Sequence, residues 1–389
     1  IKLKYKPVAG IKLTGVFGKQ RNYWENGPGI VRGIDGEISF NETFKKLSES
    51  KTRFLLGGNF VSKFQENLDP VYNYPENVAA FSGRMNLSRG GFLFSTEYAY
   101  KINDPSADNA AIEGINYPIF KDGNALFVNA SWSMKGLGIL FTALRLDNMS
   151  FRSDRFATVN DLQINYLPAI TKTHTYAFPA MYPFATQHNG QIGINTEIFY
   201  TFKRKSLLGG KYGTKININY SQVNSIPMEM IVYDPDAEIP NLDGYTSDWL
   251  AIGDDLYFRD FSIELHKKVH KKFQFTAIYM YEDFNRYVIQ GKGSMYHANI
   301  GVLDMTYKFT SKHALRLETQ AIFVEDDDGN PVDFGDWYAG LLEYTFAPHW
   351  FIAVSDQYDT GHGDHYSAHY YNIQAGYVKG GNRIQFGYG

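Results

Sequence analysis

Cysteine is absent from the 389 residues, which excludes a disulfide framework and thiol chemistry and leaves the compartment open. No sign of charge prevails: charged residues make up 20% and the formal net charge is -3. A nucleic-acid partner would call for a basic excess or stripe, so none is expected. No apolar run approaches the roughly eighteen residues of a membrane helix. The mean hydropathy of -0.34 reads as that of a water-soluble chain. It fits a membrane-spanning barrel equally well, since half of each strand there faces a polar lumen. Glycine-rich phosphate loops, dinucleotide fingerprints and the serine motif G-x-S-x-G are all missing, so neither an enzyme nor a cofactor is expected. Proline is scarce at 14 residues. No signal peptide is visible; Ile1 opens directly on an alternating segment, so a leader and more of the chain are expected before it.

What is abundant is aromatic: 29 Tyr and 29 Phe against only 5 Trp. Their placement is periodic. Phe273, Phe275, Ala277, Tyr279 and Tyr281 alternate with Gln274, Thr276 and Glu282. Ile216, Ile218 and Tyr220 alternate with Lys215, Asn217, Asn219 and Ser221. Ile192, Ile194, Ile198, Tyr200 and Phe202 do the same against Gln191, Asn195 and Glu197. Successive strand side chains point to opposite faces, so each segment has one apolar and one polar face. Soluble sandwiches share this alternation but often in strands of about five or six residues. Many segments here run for about ten to fifteen, the reach of a tilted strand crossing a bilayer.

The pattern predicts strands near 1–7, 10–19, 30–44, 51–65, 78–88, 90–102, 123–134, 136–149 and 190–202. It continues near 209–224, 251–269, 271–284, 294–309, 312–325, 336–348, 349–359, 368–378 and 380–389. Short connections alternate with long ones at 20–29, 66–77, 103–122, 150–189, 225–248, 285–293, 326–335 and 360–367. Short turns on one side and long loops on the other are the plan of an outer-membrane barrel. The expected fold is therefore all-β: a large antiparallel transmembrane β-barrel, one domain over 1–389, located in the bacterial outer membrane. With the long loops outward, strand 1–7 runs down and 380–389 runs up. The parity predicts further strands beyond both ends, about twenty or more in a complete barrel.

Several stretches also carry a resemblance: residues 4–22 (KYKPVAGIKLTGVFGKQRN), 29–44 (GIVRGIDGEISFNETF), 181–190 (MYPFATQHNG), 253–259 (GDDLYFR), 313–318 (HALRLE) and 380–389 (GGNRIQFGYG). They resemble segments of an uncharacterised outer-membrane β-barrel family of the Bacteroidota, a domain of unknown function, over essentially the whole chain. The loop 326–335 looks longer than is usual there. The resemblance implies fold, location and extension past both ends; it brings no catalytic residue.

The alternation assigns a lumen face: Lys2, Lys4, Lys6, Lys12, Asp35, Glu37, Arg53, Arg84, Glu97, Arg145, Glu197, Lys215, Glu264, Glu282, Arg316, Glu318 and Glu343. It reads either as a pore lining or as an ion-pair ladder inside a filled lumen. Mixed signs predict no strong ion selectivity. Tyr98, Tyr100, Tyr200, Phe202, Tyr279, Tyr281, Tyr307, Phe309, Tyr344, Phe346, Trp350 and Phe386 lie toward strand ends on the apolar face, where amphipathic rings suit the headgroup region. A sugar-stacking platform would need them on the lumen side or in loops.

The longest connection, 150–189, carries Phe151, Phe156, Tyr166, Leu167, Ile170, Tyr176, Phe178, Met181, Tyr182 and Phe184. Such a loop either folds into the lumen as a constriction, the preferred reading, or docks a partner outside. His362, Asp364, His365 and His369 could ligate a metal, but the spacing matches no template and a polar loop is expected. Asp364 with either neighbouring histidine could also activate water as in a barrel hydrolase, a reading without a serine motif to support it. The acidic run 325–330 lacks the spacing of a calcium loop and reads as a solvated turn. Two functions stay open: a porin-like passive channel for small solutes, the default for a large barrel, and a non-transporting subunit or scaffold of a larger outer-membrane assembly. The partners expected are outer-membrane lipid and, for the second function, a surface lipoprotein or another barrel.

Overall fold

Alternating apolar and polar side chains favour extended backbone, because a pleated strand can then give one face to each environment. The computed structural model realises this along most of the chain and describes every residue except 106–117, 159–160, 232–243, 333–334 and 363–364. The strands are β1 (Lys2–Tyr5), β2 (Ile11–Asn22), β3 (Glu25–Ser39), β4 (Thr52–Phe64), β5 (Asn77–Arg89), β6 (Phe92–Lys101), β7 (Gly123–Met134), β8 (Leu137–Asp147), β9 (Gly190–Phe202) and β10 (Thr214–Asn224). A small ribbon pairs β11 (Glu229–Met230) with β12 (Tyr245–Thr246). Then come β13 (Leu256–Lys268), β14 (Phe273–Asn285), β15 (Met295–Lys308), β16 (His313–Asp326), β17 (Trp337–Phe346), β18 (Trp350–Asp359), β19 (Ala368–Lys379) and β20 (Asn382–Tyr388). Among the described residues, two short α-helices, α1 (Phe40–Thr43) and α2 (Arg286–Gln290), sit in connections.

Apart from the ribbon, every strand pairs antiparallel with its neighbour in the chain, forming one 18-stranded up-and-down sheet. Among the described residues β1 pairs only with β2 and β20 only with β19, so the sheet is not closed. Short turns gather at one end. Gly90 (φ +59°) and Gly380 (φ +60°) supply the left-handed backbone that the tightest of them need.

Directly opposed residues share a face, so the register sorts every side chain to one of two walls. One wall is touched by the loop 148–189. That loop meets Asp260 of β13, Asp304 of β15 and Gln320 of β16, and also Gly29 of β3 and Gln65 just beyond β4. A single loop can reach both halves of the strand order only if the sheet wraps around it, as twisted sheets do. Over much of its extent the opposite wall is apolar and open: Tyr279 is 50% exposed, Ile352 47% and Val354 45%. Side chains of this size gain about 1.5–3 kcal/mol each on leaving water, so a continuous wall of them suits lipid.

Three expectations need correction. The loop expected at 20–29 is the end of a β-hairpin: β2 and β3 run on to Asn22 and Glu25 around Tyr23 and Trp24. Pro28 and two glycines read as loop residues, yet the ladder skips from Lys19↔Ile30 to Arg21↔Asn26. Pro28 thus sits in an irregularity, where its missing N–H breaks no ladder bond. The third strand was expected to reach residue 44 but ends at Ser39. There Asn41 builds a turn, donating to the carbonyls of Leu47 (2.8 Å) and Thr52 (2.9 Å) and accepting from the amide of Phe54 (3.0 Å). The strands expected from 209 and 251 begin at Thr214 and Leu256.

Candidate functional site

The loop 148–189 leaves β8 through Asn148, whose φ of +50° is tolerable for asparagine. Its neck is closed by the amides of Asn148 and Met149 donating to the carbonyls of Asn189 (2.9 Å) and His188 (2.8 Å). Residues 151–153 pair with 162–164: Ser153 donates to Leu162 and Ile164 donates to Phe151 (both 2.9 Å). At this end Arg155 is buried. Gln65 Oε1 accepts from its backbone amide and from Nε, Pro75 O accepts from Nη2 (3.0 Å), and Tyr74 stacks 4.8 Å from the guanidinium. Burial lowers the affinity of Arg155 for its proton and raises that of the Tyr74 phenol. Close by, Lys63 and Asp104 form a buried ion pair at 2.6 Å.

The second half of the loop crosses the far side of the wall with every other residue anchored. Lys172 lies 3.9 Å from Glu264, His174 Nε2 lies 3.0 Å from Asp260 Oδ2, and the Tyr176 hydroxyl donates to Asp304 (3.0 Å). The Phe178 amide then donates to Gln320 Oε1 (3.0 Å). Burial raises the Tyr176 pKa, and its bond to Asp304 adds to the shift. Tyr182 packs against Phe284 and Tyr296, and Phe184 against Phe258. Of the seven loop aromatics singled out from the sequence, Tyr176, Phe178, Tyr182 and Phe184 therefore rest on the inner wall, and Phe151 is buried against the cavity. Phe156 meets Tyr74 edge-on at 6.0 Å, and Tyr166 lines a cavity while staying 86% exposed. Lys172 and His174 were missed. Their signal was present: Lys172, His174, Tyr176 and Phe178 alternate with Thr173, Thr175 and Ala177, a period of two inside a supposed loop.

Following the register around the sheet places Lys4, Lys12, Asp35, Glu37, Arg53, Arg84, Glu97, Glu197, Lys215, Glu282, Arg316, Glu318 and Glu343 on the loop-facing wall. They fall into separate groups. Arg84 holds Asp35 (2.5 Å) and reaches Glu37 (3.6 Å), which Lys12 also pairs (3.0 Å). Across the lumen Arg316 bonds Asp304 and Glu318. Glu282 is buried and directly opposite Asp260, which Asn219 also holds (2.8 Å). Glu197 accepts from Asn217 (3.5 Å) and Glu343 from Thr345 (3.2 Å).

Arg145 departs from this set. It faces the outer wall, opposite Leu126 and Ile192. A charge there is tolerated because residues 244–250 strap over it. Its guanidinium donates to Asn124 (2.6 Å) and to the carbonyl of Asp248 (3.3 Å), pairs with Asp147 (3.4 Å), and lies over Trp249 at 4.7 Å. Tyr245 fastens the strap through Asp147 (2.8 Å) and the Asn189 carbonyl (3.0 Å).

The aromatics assigned to the apolar face lie on the outer wall by register: Tyr98, Tyr100, Tyr200, Phe202, Tyr279, Tyr281, Tyr307, Tyr344, Phe346, Trp350 and Phe386. Phe309 follows β15 and packs on Tyr307 at 5.1 Å. Toward the short-turn end they form close pairs, Tyr200 with Phe202 at 4.9 Å and Trp350 with Tyr377 at 4.7 Å. Gly363 and Asp364 lie outside the described residues. His369 instead bonds Asp356 (2.8 Å) on the outer wall, between the rings of Tyr358 and Tyr371. The carboxylate of Asp326 accepts from the amides of Asp328 (3.0 Å) and Asn330 (2.9 Å), closing the acidic turn on itself.

Between the loop and β2–β8 lies a cavity of about 550 Å³. The loop contributes Met149, Phe151 and residues 164–168, and the wall contributes a polar patch of Thr14, Asp35, Asn59, Ser82 and Glu97 beside apolar Val61, Phe127, Leu144 and Leu146.

A sequence profile described as "Family of unknown function (DUF6029)" matches residues 1–389. The chain belongs to this family. No curated protein matches it. Among solved structures it is similar to OmpTdeltaL8, a loop L8 deletion mutant of the outer membrane protein OmpT of Vibrio cholerae (11% identity, 99% of each chain covered, TM-score 0.35). It is also similar to OccAB4 of Acinetobacter baumannii (10% identity, 99% and 90% covered, TM-score 0.39). A third is the ferric-catecholate import receptor Fiu from K12 E. coli (10% identity, 100% and 68% covered, TM-score 0.36).

Proposed function

We propose that this chain is a porin-like passive channel of the bacterial outer membrane, narrowed by its own loop 148–189. The observation that carries the proposal is the crossing of residues 172–178 over the inner wall, anchored on Glu264, Asp260, Asp304 and Gln320. A loop that only covered the outside would leave these wall carboxylates to water. Here it crosses the lumen between two charged sectors and leaves the 550 Å³ cavity beside itself. The apolar outer wall and its ring pairs support the membrane setting, since lipid-facing side chains must be apolar and interfacial ones amphipathic. Diameter grows with strand number, and a sheet of 18 strands is wide enough to admit both a loop and a pathway.

Planar-bilayer recording of the purified protein tests this. Discrete conductance steps are expected, enlarged when residues 165–186 are replaced by a short Gly/Ser linker. A membrane that stays sealed at all voltages with both proteins would sink the proposal.

A further inference from the structure

The cavity under the loop has a chemistry of its own. Its volume is about 550 Å³, within the roughly 300–1,000 Å³ of small-molecule sites. The space exists because the wall carries small residues in register: Gly33 with Val61, Ala80 beside them, and Ala99 with Ala125. Met149, Phe151 and Leu167 close it from the loop side. Most of the lining is apolar; the polar groups of the wall sit together on β2–β6, and the loop adds Asn165.

Glu97 is the unusual member of that polar group. Its cross-strand partner is Arg84, which would ordinarily neutralise it. Arg84 turns the other way: its guanidinium lies flat over Gly57, where a Cβ would come within 2.6 Å of it, and reaches Asp35 and Glu37 on β3. Arg84 still acts on Glu97 through space, but the hydrogen bonds that Glu97 accepts come from two neutral donors, the Ser82 hydroxyl and, at 3.5 Å, the Asn59 amide. Among the described residues no cation lies within 4.0 Å of it. Asp35, also on the cavity, has a side chain that is 38% exposed despite its arginine. The lining therefore offers an apolar body and an acidic end with no cation of its own to spare.

We infer that this cavity binds a small organic cation, an amine on an apolar body, with the ammonium group at Glu97 and the apolar part against Ala99, Ala125, Phe127 and Leu167. The inference deepens the channel reading by naming its substrate class. A charge-assisted bond to Glu97 in partly desolvated surroundings supplies the selectivity, and the apolar wall supplies non-directional affinity.

Calorimetry on the full chain in lipid nanodiscs, with empty nanodiscs as the blank, compares 4-phenylbutylamine, 4-phenylbutanol and 4-phenylbutanoate. The amine is expected to bind about tenfold or more tightly than the carboxylate. Glu97→Gln, which keeps the Ser82 bond, is expected to reduce the amine to the affinity of the alcohol. Ala125→Phe, or Ala99→Leu where the first does not fold, is expected to weaken all three by filling the space. Equal binding of amine and carboxylate, an unchanged amine affinity in Glu97→Gln, or signals no larger than those of empty nanodiscs would overturn the inference. Binding is read without transport, so selective amine binding by a barrel that stays sealed in planar bilayers would refute only the channel. Conductance without amine preference would refute only the site.

Discussion

Removing two anchors of the inward loop should convert a steady constriction into a fluctuating one. The perturbation is His174→Ala combined with Tyr176→Phe. Each wild-type side chain meets a wall carboxylate at 3.0 Å, His174 at Asp260 and Tyr176 at Asp304. Bonds to charged groups contribute about 1.5–3 kcal/mol, and both loop residues stop short of full burial, so about 1.5 kcal/mol each is appropriate. Their sum of about 3 kcal/mol changes the ratio of docked to undocked loop on the order of a hundredfold. The wall itself should survive, because Asp260 keeps Asn219 and Asp304 keeps Arg316. Single-channel recording reads the effect as frequent excursions to a larger conductance. Heat-dependent gel mobility checks that the barrel is unaltered. A double variant with the dwell times and conductance of the parent would refute the reasoning, since the loop would then be held by something other than these contacts.

The remaining predictions concern the same two surfaces. Arg145→Ala should leave Asp147 buried with, among the described residues, only Lys121 at 3.8 Å for a charge partner, at a cost of about 3–5 kcal/mol; protease sensitivity within 244–250 should rise while conductance stays unchanged, and a conductance change without strap cleavage would place Arg145 in the lumen after all. Gly29→Ala should push the loop off its seat, since a Cβ there would lie 1.8 Å from the Ser153 carbonyl oxygen; hydrogen exchange of residues 151–164 should accelerate relative to the strands. The Tyr176 pKa is raised in the folded loop, so its contribution is complete below the ordinary phenol value of about 10 and is lost progressively as pH rises above it. The open fraction should climb above about pH 10 in the parent and less steeply in Tyr176→Phe, as recorded in the same bilayers.

Much of this architecture is a local property of the chain and was legible in it. A pleated strand turns alternate side chains to opposite faces whatever lies across from it, so period-two segments located the 18 strands of the sheet to within a few residues at most ends. The same rule assigned Lys12, Asp35, Arg84, Glu97 and Arg316 to one wall and Tyr200, Tyr279 and Tyr344 to the other. Failures arose where a local cue had a non-local answer. Pro28 and its glycines read as loop because an irregularity in pairing with β2, invisible in either strand alone, gave them a place in a hairpin. The alternation was read as placing Arg145 in the lumen with the other charges. The register turns it outward, and a strap some hundred residues later, through Ser247 and Asp248, makes that position tolerable.

Alternation thus determined by itself which residues are strands, which ends carry the long connections and which side chains share a wall. The route of the loop was decided by tertiary structure, because its anchors join residues far apart in the chain: Tyr176 and Asp304 are 128 positions apart, Gln65 and Asp154 are 89. The cavity belongs to the same category. Gly33, Ala80, Ala99 and Ala125 are unremarked small residues in four different strands, and they leave a space only because the ladder sets them side by side while the loop, pinned on the opposite wall, stops short of filling it.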